Sequence, residues 1–121
     1  MTASPSPATR AWHEIPEHLR GGLARHLVHG IRTGGFLEAV LENDLARAVA
    51  YGDDKALAGI KPLIVFLENY APRGAWGPNA SQLNWRTIGA GARVATVRNH
   101  AREAWEAMLD DSGIPLDVEV A

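Results

Sequence analysis

Cysteine is absent from all 121 residues of the chain. That one absence excludes disulfides, thiol nucleophiles and cysteine-ligated zinc, and it is compatible with a reducing compartment. Long apolar runs are also lacking. The longest, Leu63 to Leu67, falls well short of the ~20 residues that span a bilayer. The segment Met1 to Arg10 has no apolar core of the kind a signal peptide needs. Rich in Pro, Ser and Thr, it reads as a flexible arm over residues 1–11. A cytoplasmic protein without membrane association is expected. No sign of charge dominates either: 12 basic and 14 acidic residues leave a net charge of −2, with five histidines counted neutral. Non-specific nucleic-acid binders carry a basic excess, because their affinity comes from neutralised phosphates. Bulk charge therefore makes nucleic acid the less favoured partner.

What remains is ordinary globular material, 46% apolar and 21% charged. A chain of this size builds one core and buries roughly two-thirds of its unfolded surface. The predicted architecture is all-α: a single domain over 12–121, arranged as a bundle of four to five helices with a short extended tail. Pro16 opens the first helix, with Leu19, Leu23, Leu27 and Ile31 in one stripe and Gly30 as its left-handed end. Gly21 and Gly22 inside it each cost about 1 kcal/mol relative to alanine, which is tolerable where another backbone packs closely. Thr33 caps a second helix carrying Leu37, Val40, Leu41, Leu45, Ala48 and Val49, ending at Tyr51-Gly52. A third begins at Asp53 or Asp54 and is kinked or split by Pro62. Its run Leu63–Leu67 is apolar all round and predicts an enclosed, central helix. Asn79 or Ser81 caps a short helix with Leu83 and Trp85. The last helix spans about 92–111 and stops at Ser112-Gly113. In the tail, 114–121, apolar and acidic residues alternate from Leu116.

On a continuous second helix, at about 100° per residue, Asp44 falls inside the apolar face while Asn43 points nearly opposite. A core-facing carboxylate needs donors, so Asp44 reads as a structural acceptor for a helix N-terminus, an indole N–H or an arginine. His18, His26 and His29 share the first helix with Arg25. No acidic or cysteine ligand stands at a matching spacing, so no metal or other cofactor is expected and the stripe reads as a solvated face. Four tryptophans are many for this length. Trp12, outside the first helix, and Trp76, in a glycine-rich loop, are the surface candidates. On the last helix Arg93, Arg98 and Arg102, with Arg86 before them, form a basic set, with Arg98 and Arg102 at i, i+4. No nucleophile or phosphate-loop motif is present. The predicted protein is non-enzymatic. Its candidate partner-binding residues are Trp12, His18, Arg25, His29, Trp76, Arg93, Arg98 and Arg102, with Asn43 and Asp44 structural.

One stretch carries a resemblance. Ile15-Pro-Glu-His-Leu19, Gly22-Leu23, His29-Gly30, Thr33-Gly-Gly-Phe-Leu-Glu-Ala-Val-Leu-Glu-Asn-Asp-Leu45, Ala48-Val49, Asn69-Tyr-Ala-Pro72 and Trp76-Gly77 resemble a family of short phage and prophage proteins over residues 14–86. The resemblance implies a small helical fold and transfers no catalytic residues. It also implies a function in the host cell. Phage accessory proteins of this size act by binding and blocking a host protein, CRISPR effector complexes among them. The expected function is thus stoichiometric inhibition of a host protein or defence complex, with anti-CRISPR activity as the concrete form. The alternative is a nucleic-acid-associated helical protein using the arginines of the last helix. Were the chain a homodimer, the last helix and residues 116–121 would be its contact.

Overall fold

A computed structural model describes residues 6–77 and 82–116. All regular structure among the described residues is helical, so the all-α expectation holds. The helices are shorter and more numerous than expected. The reasons lie in particular residues.

Helix α1, Pro7–Glu14, starts where Ser6 Oγ accepts from the backbone N–H of Thr9 at 3.2 Å and proline takes the first helical position. It buries Ala8, Ala11 and Trp12, and Thr9 Oγ1 donates to the carbonyl of Glu103 at 2.7 Å. Residues 7–11, expected in the flexible arm, are therefore helical and docked. Helix α2, Glu17–His29, matches its predicted bounds. Gly30 closes it at φ 67°, its N–H bonding His26 O while Ile31 N–H reaches back to Arg25 O. Leu19, Leu23, Ala24, Leu27 and Val28 enter the core. Ile31 lies past the helix end and is exposed. The two inner glycines are explained by packing: a Cβ on Gly21 would meet the backbone oxygen of Asp111 at 3.2 Å, and one on Gly22 would meet Leu37 at 2.9 Å.

The predicted second helix is two helices, α3 (Gly35–Leu41) and α4 (Leu45–Tyr51). Thr33 does not cap α3: its Oγ1 is buried without a hydrogen-bond partner, and Gly34 holds the cap position. Asn43 adopts φ 60°, the left-handed conformation that asparagine tolerates better than most residues. Asp44 then caps α4, its Oδ1 accepting from Arg47 N–H at 3.1 Å. Asp44 is thus an acceptor for a helix N-terminus, as expected. It does not face the core, however, and its side chain is 39% exposed. The third predicted helix divides into α5 (Asp54–Ala58), capped by Asp53, and α6 (Ile60–Tyr70). Pro62 sits in the first turn of α6, where its missing N–H has no intrahelical partner to lose, and the break falls at Gly59. Leu63, Phe66 and Leu67 are buried but Val65 is exposed, so α6 is one-sided and not enclosed all round.

A 3-10 turn at Arg73–Ala75 leads to Trp76-Gly77, where Gly77 N–H bonds Leu41 O at 2.7 Å. Asn79 and Ser81 lie outside the described residues. Helix α7 covers Gln82–Thr87 and α8 Ala90–His100. The chain bends at Ala101 through a 3-10 turn, Arg102–Ala104, into α9, Trp105–Ser112. The buried, small Ala101 and Ala104 let this corner pack closely, so Val94 and Val97 as well as Trp105 and Met108 reach the core. Gly113 ends α9 at φ 69°. Residues 114–116 are irregular, with Leu116 against the core. The rest of the predicted tail, 117–121, lies outside the described residues. In the assembled fold α2 is central: α9 and α8 pack along it, α3 pairs with α4, and α1 packs on α6. Among the described residues no helix is long and apolar enough to cross a membrane.

Candidate functional site

The sequence candidates separate once placed. Trp12 is fully buried, not a surface anchor. Its ring packs edge-on to Phe66 at 5.0 Å, and its Nε1 donates to Asp111 Oδ2 at 2.7 Å. A Trp in a short leading helix follows the same i, i+3, i+4 rule as any other, with Ala8, Ala11 and Ile15 as its neighbours in the stripe. The face of α2 read as solvated is the seat of α9. Arg25 donates to the carbonyl of Ser112 at 3.3 Å, His29 Nε2 lies 3.4 Å from Ser112 Oγ, and Arg20 pairs with Asp111 at 3.4 Å. Arg25 and His29 therefore serve the fold, and α9, named for a dimer contact, is seated on α2. His26, on the same face, is fully buried, and its Nε2 meets Ala75 O at 2.9 Å. Burial holds its pKa below the ordinary 6.5. The Ala75 bond acts upward against this, while the charges of Arg86 and Arg93 act downward.

The arginine set on the predicted last helix is divided. Arg93 is buried, 5% exposed, and donates to Ile88 O at 3.3 Å. Burial pulls its pKa down from the ordinary value, yet a guanidinium stays charged. Arg98 is half-buried on α8, and Arg102 is exposed on the 3-10 turn beyond the bend. The i, i+4 face expected for these two does not exist, because no single helix contains both. Trp76 is half-buried against the core, as a loop anchor. His18 is exposed on the wall of a depression of about 350 Å³, with Phe36, Tyr51 and Asp53. Among the described residues no three His, Asp or Glu side chains converge as a metal site would require.

The feature missed from sequence is α4. Ala48 is its one buried residue, while Leu45 (65%), Val49 (52%) and Tyr51 (65%) are open to solvent. A stripe run straight through Asn43 and Asp44 places Leu45 and Val49 on the core face. The left-handed turn there re-aims the following helix. The signal was present: an asparagine that accepts positive φ followed by an N-cap aspartate marks a stop and a restart. Beside α4 runs a groove of about 190 Å³, lined by Val40, Leu45, Ala48, Ile60 and Ile64, with Asn43 and Asp44 at its rim. The depression that holds His18 and Tyr51 lies toward the other end of the helix. Arg47, hydrogen-bonded to Glu42 and 3.6 Å from Asp44, supplies a charged border. The arrangement is an apolar ridge and groove with a polar edge. Comparison with models of protein families, with curated proteins and with solved structures finds no match.

Proposed function

We propose that this chain is a non-enzymatic binding protein that docks a protein partner over α4. The observation that carries the reading is the exposure of Leu45, Val49 and Tyr51 on one short helix beside an apolar groove. Meanwhile Trp12, Arg25, His29 and Arg93 are occupied within the fold. Isolated exposed apolar residues are ordinary, but Leu45 and Val49 stand one turn apart on the same face of α4, with Leu45 lining the groove, and exposed apolar surface rimmed by polar residues marks protein interaction sites. The resemblance to short phage and prophage proteins supplies the setting, a host cell. The partner is then a host protein or defence complex blocked stoichiometrically, and the concrete form is inhibition of a CRISPR effector complex.

The test is interference against a targeted plasmid in bacteria expressing the chain, alongside recovery of tagged protein from nuclease-treated lysate. The expected result is restored plasmid uptake and a stoichiometric protein partner. Both should be lost in the Leu45→Glu, Val49→Glu double variant while its helical circular dichroism is unchanged. Equal recovery of the same partner by the double variant would remove α4 from the interface. Unaltered interference with the partner still bound would remove the anti-CRISPR form and leave a binding protein of other target.

A further inference from the structure

Among the described residues, buried polar atoms without a hydrogen-bond partner gather at the C-terminal turn of α2. Trp85 of α7 donates its indole N–H to the carbonyl of His26 at 3.1 Å, which brings the adjacent Arg86 to that turn. From α8, Arg93 NH1 lies 2.5 Å from the point where a Cβ on Gly30 would begin, one turn beyond His26. Basic residues of three helices thus lie around this turn, and both guanidinium charges act on the imidazole. Arg93 Nε, Arg86 NH1 and His26 Nδ1 are all buried without a hydrogen-bond partner among the described residues. None of the ion pairs among the described residues gives either guanidinium a carboxylate. The dipole of α2 draws cations to its end, but it does not satisfy the two guanidinium donors. The His26 carbonyl is already engaged by Gly30 N–H and by the Trp85 indole. A buried guanidinium N–H left open, with no carboxylate against it among the described residues, is destabilising unless an anion joins it.

We propose that His26, Arg86 and Arg93 form a binding site for a small oxyanion. The shared chemistry is a group with at least two acceptor oxygens, one taken by Arg86 NH1 and another by Arg93 Nε. Hydrogen bonds from a guanidinium to an ionised oxygen are stronger than neutral ones, which suits phosphate, sulfate or carboxylate. Since Nε2 of His26 donates to Ala75 O, Nδ1 carries the lone pair of the neutral ring and becomes a third donor when protonated. Arg93 is anchored by its bond to Ile88 O, whereas half-buried Arg86 is the side from which an anion enters. The proposal is independent of the α4 interface.

The experiment is thermal unfolding of the full chain titrated with sulfate, phosphate or acetate, each against chloride at matched ionic strength. The expected result is a saturable rise in Tm with one of the three, about 5 °C at ten times its Kd. Sulfate or phosphate acting alone would identify a tetrahedral ligand. Acetate acting in their place would identify a carboxylate, as a peptide side chain supplies. Arg86→Gln and Arg93→Gln should each abolish the rise. Because Arg93 is buried, Arg86→Gln decides if the other variant fails to fold. Midpoints that follow chloride for all three anions, or an equal rise in folded Arg86→Gln, would overturn the site.

Discussion

Helices α4 and α9 are nearly equal in length, seven and eight residues, and are used in opposite ways. Helix α9, Trp-Glu-Ala-Met-Leu-Asp-Asp-Ser, is the more polar, yet it is seated against α2. Two of its last polar residues make the attachments: Asp111 takes the Trp12 indole and Arg20, and Ser112 takes Arg25 and His29. Helix α4, Leu-Ala-Arg-Ala-Val-Ala-Tyr, is the more apolar and stands largely in solvent with Ala48 inside. Burial in this chain is therefore decided by which helix finds directional long-range anchors, not by apolar content alone. An apolar helix left outside is available to another molecule.

The comparison breaks most severely at Asp111. Asp111→Ala leaves a buried indole N–H unpaired and removes the Arg20 pair. It should cost about 2–3 kcal/mol in urea unfolding, and an unchanged midpoint would mean that apolar contact alone seats α9. Acid should act next, through the same face of α2. His26 is depressed below 6.5 chiefly by burial, so the unfolded chain binds its proton first as pH falls. The stability that neutral His26 contributes is whole above pH 6.5 and is lost as pH drops through the folded value. The urea midpoint at pH 5 should be lower than at pH 7.5, and His26→Gln should lessen that difference. A wild-type midpoint no lower at pH 5 would contradict it. On the α4 side, Asp44→Ala removes one cap and should cost about 1 kcal/mol, measured the same way. A loss near zero would show that the Asn43 turn alone breaks the helix. Smallest of all, Leu45→Ser with Val49→Ser should shift stability within about ±0.5 kcal/mol. A substantial loss would show that these side chains are core after all.

Much of the fold was legible. Helix α2 ends where Gly30 places it, Asp53 caps α5, Gly113 closes α9, and the 3.6-residue spacing of apolar residues specified an all-α chain. These are local rules, acting within one or two turns. The errors came where a local signal was read as continuous. Asn43-Asp44 was treated as part of a helix and not as its break, and the stripe through Ala101 was carried across a bend. The candidate site suffered for the same reason, since a stripe run straight through a turn assigns Leu45 and Val49 to the wrong side.

By itself the sequence determined the helical class, the buried stripe of α2 and the helix ends at Gly30, Asp53 and Gly113, because capping, left-handed glycine and 3.6-residue periodicity are properties of adjacent residues. Only the tertiary structure decided that Trp12 meets Asp111 across 99 positions of chain and that His26 is buried beside Arg86 and Arg93. It also decided that α4 lies outside while α9 lies in. Hydrogen bonds and buried charges depend on which helices meet, and no period along the chain encodes that meeting.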